Sequence, residues 1–586
     1  MSYQRVSQPC RNFNILGSTT VQDPRDRREK VVLSNFAAGA TGNLILVDPE
    51  SGQGESLPLP GDEGAWAVLN WQNERLLVGT CPRFGYLHSL DLRTRTWAEP
   101  LRDEHETYIW NLCQGSDGLI YGGTYPGCVL LRYDPAAHRL ENLGRMSDNP
   151  DNLYSRMVYA IPGHILVTCG MAEMHLALWE IATGKVRRFG RPGAQVRAIT
   201  DRFLCTESEG ELAFYHLENL APMAGDASLL PAESPPPYGG TRHRIPLADG
   251  RIFAVRGQEY YVMAPGEVRP QLRPIPTPRP PTRIMTLVAD EQGRLWGSSS
   301  FGQTIFCYNP TSGETWNSQV VCDQGGEVYG MAWRNGRLFL SAYAGGDHVV
   351  YDPGRPWNQV DNENPRTLPR EPAGPEPLLI RPEARSVIGP DGHFWTGWMA
   401  RYGVYGGGLT RVDTATLAVT AWVDPVPGQA VVGLAADERF LYFTTGGEGN
   451  GLPPKTEPFH FVVWDPQGEI VWQHTFPAGR RPREVAAAGG RVWVAVDREL
   501  WGFDPARWAW EAVYPRAAAC HHLLATPDGQ RLLIFDEEGL WSLDVASGAQ
   551  RQVSQLPGPV RAATFTPDGT LYFAHGPALY RLRPAL

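Results

Sequence analysis

Residues 115–138 read GSDGLIYGGTYPGCVLLRYDPAAH, and this stretch contains the unit from which most of the chain is built. An Asp-Gly turn leads into an apolar strand, a loop with Gly and Tyr follows, and a second apolar strand ends at an Asp-Pro turn. Aspartate can accept backbone hydrogen bonds, proline presets φ, and glycine supplies positive φ, so both turns reverse the chain tightly. The stretch therefore predicts antiparallel strand pairs.

Copies of this unit follow one another along the sequence. The strand that ends in Asp-Pro returns as LILVDPESG (44–52) and VVWDPQGE (462–469), and the Asp-Gly turn returns as GPDGHFWTG (389–397) and TPDGTLYFA (566–574). Successive copies lie roughly 40 residues apart, which is the length of one four-stranded blade of a β-propeller. About thirteen blades are too many for one ring of four to eight. We therefore predict an all-β protein with two tandem β-propellers of six to seven four-stranded blades each.

The Pro-rich segment IPTPRPPT (275–282) divides the repeats and is the predicted linker. We accordingly assign residues 1–276 to an N-terminal propeller and residues 277–586 to a C-terminal propeller of seven blades. The last repeat stops after its third strand, so the N-terminal segment could supply the fourth strand and remove an exposed sheet edge. Two long insertions in the second half, 354–378 and 446–459, are candidate functional loops.

Composition excludes several classes of partner. The net charge of -10 and the pI near 5.8 disfavour binding to nucleic acid and to anionic membrane surfaces. The N-terminus has no apolar signal region and no apolar run is long enough for a membrane span, so we expect a cytoplasmic protein. Ring closure makes a monomer the expected state. The nine cysteines form no CxxC pair, and no nucleotide, calcium-loop or HExxH motif identifies a cofactor or a metal site.

The repeats resemble the broad bacterial class of β-propellers with PQQ-type, YVTN and NHL-like blades. This resemblance covers nearly the whole chain and implies the fold, but no single activity, since the class includes sensors, binding modules, lactonases and lyases. Three loop segments also resemble propeller-fold polysaccharide lyases that act on uronic-acid glycans, which implies a carbohydrate-active site. These segments are GGTYPGCVLLRYDP (122–135), SAYAGGDHVVYDPGRPWN (341–358) and ARYGVYGGGLTRVD (400–413).

Arginine recurs where the first strand of a blade begins. In a propeller these positions crowd one face of the central channel, so several guanidinium groups could surround one carboxylate, sulfate or phosphate. The alternative is that each arginine pairs with an acidic residue of a neighbouring blade. The positions are Arg156, Arg197, Arg283, Arg385, Arg483 and Arg561, with Arg242 and Arg244 close by.

Cleavage of a uronate by β-elimination requires a cation that neutralises the carboxylate and a base, such as Tyr or His, that removes the adjacent proton. Tyrosine also offers a flat apolar face to a sugar ring, although turn formation and blade packing would explain the same Gly/Tyr loops. We predict Arg401, Tyr405 and Tyr343 as the catalytic residues, because the loops of the C-terminal half are longer. The predicted substrate-binding residues are Arg283, Arg385 and Tyr402, together with two sets that could supply the same chemistry, Arg156 with Tyr154 and Tyr125, and Arg242 with His243.

The leading functional hypothesis is a carbohydrate-active propeller that binds an acidic, uronate-containing glycan or glycoside, or another small anionic ligand, and cleaves the glycan by β-elimination. The first alternative is a non-catalytic scaffold or sensor that binds a protein or small molecule across a propeller face. A second alternative is a hydrolase or lactonase with a metal ion in the channel. No histidine spacing in the sequence argues for a four-histidine iron site.

Overall fold

The computed structural model describes residues 3–232, 234–369 and 378–582. Its elements are β-strands and one single-turn 3-10 helix, Ala227–Leu229, so the all-β prediction is confirmed. Throughout these ranges there is no helix with the length and apolar character needed to cross a membrane. The chain forms two compact units, Phe13–Pro278 (the first unit) and Met1–Asn12 with Arg279–Leu586 (the second unit). The division at Pro278 lies inside the Pro-rich segment.

The first unit contains six antiparallel sheets, numbered 1 to 6 in chain order. Sheet 2 has three strands and the others have four, and consecutive strands of a sheet are neighbours in it. The strands are Ile15–Gln22, Glu29–Asn35, Asn43–Val47 and Gly54–Pro58 in sheet 1; Gly64–Trp71, Arg75–Cys81 and Leu87–Asp91 in sheet 2; Tyr108–Gln114, Ile120–Tyr125, Val129–Asp134 and Arg139–Arg145 in sheet 3; Ser155–Ile161, His164–Cys169, His175–Glu180 and Lys185–Phe189 in sheet 4; Gln195–Ile199, Phe203–Ser208, Glu211–His216 and Pro222–Met223 in sheet 5; and Thr241–Pro246, Ile252–Arg256, Glu259–Met263 and Arg273–Pro274 in sheet 6.

The second unit contains seven antiparallel sheets, numbered 7 to 13. Sheet 9 has five strands because its inner strand is broken into two short pieces that both pair with Phe394–Ala400. The strands are Ile284–Ala289, Leu295–Ser299, Ile305–Tyr308 and Thr315–Asn317 in sheet 7; Val328–Arg334, Arg337–Ala342, Asp347–Tyr351 and Arg366–Thr367 in sheet 8; Leu379–Arg381, Val387–Ile388, Phe394–Ala400, Gly407–Val412 and Val419–Val423 in sheet 9; Ala430–Ala436, Leu441–Gly446, His460–Asp465 and Glu469–Thr475 in sheet 10; Pro482–Ala488, Arg491–Val496, Glu499–Asp504 and Ala509–Pro515 in sheet 11; Cys520–Ala525, Arg531–Asp536, Gly539–Asp544 and Gln550–Ser554 in sheet 12; and Ala562–Phe565, Leu571–His575, Ala578–Leu582 and Gln4–Ser7 in sheet 13.

The seven sheets of the second unit form a closed ring. Their inner strands contact one another in chain order, and the inner strand of sheet 13 contacts that of sheet 7. A separate core cluster of buried side chains lies between each pair of neighbouring sheets, including the pair formed by sheets 13 and 7. Each sheet is therefore packed on both faces, and successive side chains of a strand point to opposite faces. For this reason the middle strands have apolar residues at nearly every position. This circular order is the arrangement of a β-propeller.

The Asp-Gly turns fix the position of aromatic residues inside the blades. The carboxylate of Asp117 accepts a hydrogen bond from the hydroxyl of Tyr121 at 2.8 Å, and that of Asp391 accepts one from the indole nitrogen of Trp395 at 3.0 Å. Both rings are fully buried. A buried ring with a polar group needs a partner, and the turn aspartate supplies it. The repeated phrase therefore determines both the turn and the packing of the strand that follows.

The N-terminal segment completes the last sheet of the second unit. Strand Gln4–Ser7 pairs antiparallel with Ala578–Leu582, with Gln4 opposite Arg581. The expectation that the N-terminus supplies the fourth strand of the last repeat is therefore confirmed. This pairing covers the outer edge of the third strand, which would otherwise expose unpaired backbone groups.

Candidate functional site

Arg381 is the centre of a polar cluster at one end of the second unit's ring. It ends the first inner piece of sheet 9, and its guanidinium carbon lies 4.4 Å from the centroid of the Tyr343 ring. Its Nη2 atom lies 3.5 Å from the hydroxyl oxygen of Tyr402. Its buried Nε atom has no hydrogen-bond partner among the residues that the structure describes. The planar donor fork of a guanidinium group is suited to a carboxylate.

Tyr343 and Tyr402 form a hydroxyl pair beside this guanidinium. Their hydroxyl oxygens are 2.5 Å apart; Tyr343 follows strand Arg337–Ala342 of sheet 8, and Tyr402 lies just beyond strand Phe394–Ala400 of sheet 9. Tyr343 is 9% exposed, whereas Tyr402 is 37% exposed. Burial, together with the neighbouring Tyr402, raises the pKa of Tyr343. Tyr343 therefore keeps its proton, and Tyr402 is the more accessible hydroxyl of the pair.

Glu327 is a buried carboxyl group on the inner side of the same cluster. It is 4% exposed and accepts a hydrogen bond from Tyr329, whose ring lies edge-on to that of Tyr343 at 6.2 Å. Burial raises the pKa of Glu327 to about 7, even though Arg381 acts to lower it. Its Oε2 atom makes no hydrogen bond with any described residue. Burial also raises the pKa of Glu383, two residues beyond Arg381.

Arg385 belongs to a second network that joins sheets on different sides of the ring. Its Nη1 atom lies 2.6 Å from Nε2 of His522 in sheet 12, and its Nη2 atom donates to the backbone carbonyl of Arg561 at 2.7 Å. Glu484 of sheet 11 lies 3.5 Å from both Arg385 and His522. Burial and the charge of Arg385 lower the pKa of His522 to about 4, so at neutral pH His522 is uncharged and accepts from Arg385.

Glu484 is ionised in this network. Burial acts to raise its pKa, but the charge of Arg385 and a hydrogen bond from His522 outweigh burial and lower the pKa to about 2. Arg483, the residue before Glu484, instead forms an ion pair with Glu448, which lies in the long loop 446–459 of sheet 10. For Arg385 and Arg483 the arrangement is thus the alternative considered above, in which arginines at strand entrances pair with acids of other blades. Arg283 is exposed where the inner strand of sheet 7 begins.

Of the three residues predicted as catalytic, Tyr343 lies in the Arg381 cluster. Arg401 is exposed, and its backbone N–H donates to the carbonyl of Leu378 at 2.7 Å. The Tyr405 hydroxyl donates to the carbonyl of Pro453 at 2.6 Å, and the ammonium of Lys455 lies 4.4 Å from the ring centroid. Tyr405 therefore anchors the insertion 446–459, while Tyr402, predicted only as a binding residue, contacts Tyr343. Part of the insertion 354–378, residues 370–377, lies outside the described residues.

Sequence reasoning missed Arg381, Glu327, Tyr329 and Glu383. A signal for one part of the set was present, because Arg381, Glu383 and Arg385 alternate in LIRPEAR (379–385), and alternate residues of an extended segment share a side. Pro382 and the break in the inner strand obscured it. Glu327 carried no signal of its own, since its unusual environment depends on neighbours from another sheet.

The first unit brings together Arg156, Tyr154 and Tyr125. The guanidinium carbon of Arg156 lies 5.3 Å from the centroid of Trp110, and the rings of Tyr125 and Tyr154 are 4.8 Å apart. Tyr154 in turn lies 5.7 Å from Trp110. Arg156 is exposed, and the rings are partly buried. Tyr108 and Trp66 extend this aromatic cluster from the neighbouring inner strands of sheets 3 and 2.

His243 and Arg242 have separate positions in the first unit. One ring nitrogen of His243 lies 3.0 Å from the Ser18 hydroxyl, and the other lies 2.9 Å from the Ile15 carbonyl oxygen. Burial lowers the pKa of His243. Both nitrogens are thus used in joining sheet 6 to sheet 1, whereas Arg242 is exposed. Within the described ranges, His, Cys, Asp and Glu form no group of three or more that could hold a metal ion.

Comparisons with known proteins identify no family. No family model matches the chain, and no curated protein matches it. Among solved structures, the chain is similar to a catalytically inactive variant of virginiamycin B lyase from Staphylococcus aureus with quinupristin, at 13% identity and a TM-score of 0.40, over 51% of this chain and 94% of that one. It is also similar to the mitotic checkpoint complex, at 13% identity and a TM-score of 0.38, over 51% and 87%. Neither likeness bears on the chemistry of the site.

Proposed function

We propose that this protein binds an acidic, uronate-containing saccharide at the Arg381 cluster and cleaves it by β-elimination. The observation that supports the proposal most directly is the contact between Arg381 and the Tyr343–Tyr402 hydroxyl pair. It combines a cation suited to a carboxylate with an accessible tyrosine hydroxyl that is hydrogen-bonded to a second, buried tyrosine. These are the two groups that removal of a proton next to a carboxylate requires.

In the proposed reaction the carboxylate of the uronate pairs with Arg381, which makes the proton on the adjacent C5 carbon more acidic. Tyr402, as the phenolate, removes that proton. The electrons of the C–H bond form the C4=C5 double bond, the bond from C4 to the glycosidic oxygen breaks, and the leaving oxygen takes up the proton that Tyr402 removed from C5. Tyr343 donates to the Tyr402 oxygen while it is ionised, because burial keeps Tyr343 protonated. The products are an unsaturated uronate and a shortened saccharide.

The Arg156 cluster of the first unit supports binding of the same class of ligand. An exposed guanidinium over Trp110, with Tyr125 and Tyr154 beside it, offers one anion-binding group and several ring surfaces. Aromatic faces pack against the apolar faces of sugar rings. We assign this cluster a binding role.

The test is incubation with a panel of uronate-containing glycans, followed by ultraviolet absorbance of the unsaturated product and by calorimetric binding. We expect product from the wild type, and loss of product with retained binding for Tyr402→Phe. The matched control is Tyr580→Phe, which removes a tyrosine hydroxyl from the third strand of sheet 13. Binding without product in the wild type would favour the scaffold or sensor alternative, and absence of both would reject the proposal.

A further inference from the structure

A polar groove lies between the outer strands of sheets 13 and 7, beside the place where the ring of the second unit closes. It is lined by residues 5–8 and Arg11 of the N-terminal segment and by Thr315 and Asn317 of sheet 7. We refer to this space as the seam groove. Its volume of about 610 Å³ falls within the range of roughly 300 to 1,000 Å³ that is typical of small-molecule sites. The seam groove is therefore large enough for a small organic molecule.

Hydrogen bonds fix the N-terminal segment against sheet 7 at this groove. The backbone N–H of Arg11 donates to Oδ1 of Asn317 at 2.8 Å, and Nδ2 of Asn317 donates to the carbonyl of Pro9 at 3.0 Å. Val6 and Cys10 pack with the core cluster between sheets 13 and 7. The groove is thus formed before a ligand enters, which lowers the entropic cost of binding.

The seam groove has two cationic side chains and no carboxyl group among the described residues that line it. Arg5 and Arg11 are exposed, and neither forms an ion pair with any residue that the structure describes. The Arg11 guanidinium donates to the carbonyl of Arg279 at 3.2 Å, a neutral acceptor that leaves its charge uncompensated. In a chain with a net charge of -10, these two arginines form a local positive centre, which raises the concentration of anions near it.

Neutral hydrogen-bond donors accompany the two arginines. The hydroxyl groups of Ser7 and Thr315 and the side-chain amide of Gln8 line the same groove. None of these three groups forms a hydrogen bond with a residue inside the described ranges. A phosphate or sulfate ester presents three acceptor oxygens, whereas a carboxylate presents two. Two guanidinium groups with additional donors therefore favour a phosphate or sulfate ester over a carboxylate.

We propose that the seam groove binds a small organic phosphate or sulfate ester, with Arg5 and Arg11 holding its anionic group. Such a ligand would contact the N-terminal segment and sheet 7 at once. Because a ligand stabilises the folded state that binds it, the ester would strengthen closure of the ring. The site shares no residue with the Arg381 cluster and does not rest on the reaction proposed there.

The test is calorimetry of the full-length protein with glucose 6-phosphate, glucose 6-sulfate and glucose, all at one ionic strength because salt screens exposed charges. We expect one or both esters to bind and glucose not to bind, since glucose lacks the anionic group. The ester that binds more tightly identifies the group that the site prefers. Absence of binding by both esters, or equal binding of glucose, would overturn the proposal.

Hydrogen exchange measured by mass spectrometry locates the bound ester without any substitution. Exchange should slow in residues 4–11 and 315–317, and the unfolding temperature of the second unit should rise with the ester concentration. Protection confined to other parts of the chain would reject the seam groove as the site.

Variants test the two arginines directly. Arg5→Gln and Arg11→Gln should each weaken ester binding about tenfold, the effect of losing one charge-assisted hydrogen bond. Arg498→Gln removes the same charge from an exposed position of the same unit, and this matched control should bind the ester as the wild type does. Unchanged affinity in both groove variants, or an equal loss in the control, would show that the groove does not hold the ester.

Discussion

Replacing Glu327 by Gln should make the second unit less sensitive to pH. A carboxyl group whose pKa is raised on folding stabilises the folded state at low pH, and this contribution is lost as the pH rises through the folded-state value. For Glu327 the pKa rises from 4.5 in the unfolded chain to about 7. Relative to a group that stays protonated, linkage then lowers the free energy of unfolding by about 0.8 kcal/mol at pH 5 and by about 3.4 kcal/mol at pH 8. Glutamine, which has the same shape and no charge, avoids this loss.

The free energy of unfolding of Glu327→Gln, relative to that of the wild type, should increase by about 2.5 kcal/mol between pH 5 and pH 8. The assay is urea unfolding of both proteins, followed by tryptophan fluorescence, with the transition of the second unit analysed separately because a two-unit chain need not unfold in one step. Glu438→Gln, an exposed position in the same unit, is the control and should show no such gain. An equal stability difference at the two pH values would refute the assignment of Glu327 as a buried, titrating carboxyl group.

Three further predictions follow from particular contacts. Deleting residues 1–7 removes the outer strand of sheet 13 and should lower the unfolding free energy of the second unit by about 2 to 3 kcal/mol, measured by urea denaturation; an unchanged midpoint would contradict the pairing. Glu484→Gln leaves Arg385 without its carboxylate. Because the pKa of Glu484 is about 2, the variant should be less stable than the wild type above pH 4.5, and this difference should disappear as the pH falls toward 2. Thermal unfolding measured against pH tests this, and a difference that stays constant with pH would contradict the network. Arg156→Gln should weaken binding of acidic saccharides to the first unit about tenfold, the effect of one charge-assisted hydrogen bond; calorimetry should show no change for Arg197→Gln, whose guanidinium lies 3.7 Å from Glu207.

The fold could be predicted from the sequence because the residues that determine the structure of a blade lie within the repeat that forms it. The turn aspartate, the proline and the apolar strands act over short distances, as the contacts of Asp134 with the backbone of Ala136 and Ala137 illustrate. The missing fourth strand of the last repeat also pointed to the N-terminus, because a repeat with three strands leaves an edge. None of these inferences required knowledge of which blades lie opposite each other.

The site could be predicted only in part, because it depends on contacts between repeats. Tyr343 and Tyr402 were found because both lie in Gly/Tyr loops, but the partner of each was not evident. Arg242 and His243 were grouped because they are adjacent, yet adjacent residues of a strand point to opposite sides. His243 accordingly points inward to Ser18 and Ile15, while Arg242 is exposed.

The two networks of the second unit are coupled through one short segment. Residues 381–385 carry Arg381 at one end, where it contacts Tyr343 and Tyr402, and Arg385 at the other, where it binds His522 and the Arg561 carbonyl. Arg385 is held from sheets 12 and 13, so its position depends on closure of the ring. Proline at 382 restricts the backbone between the two arginines. Closure of the ring therefore helps to hold Arg381 against the tyrosine pair, so the proposed chemistry would depend on the complete circle of seven sheets.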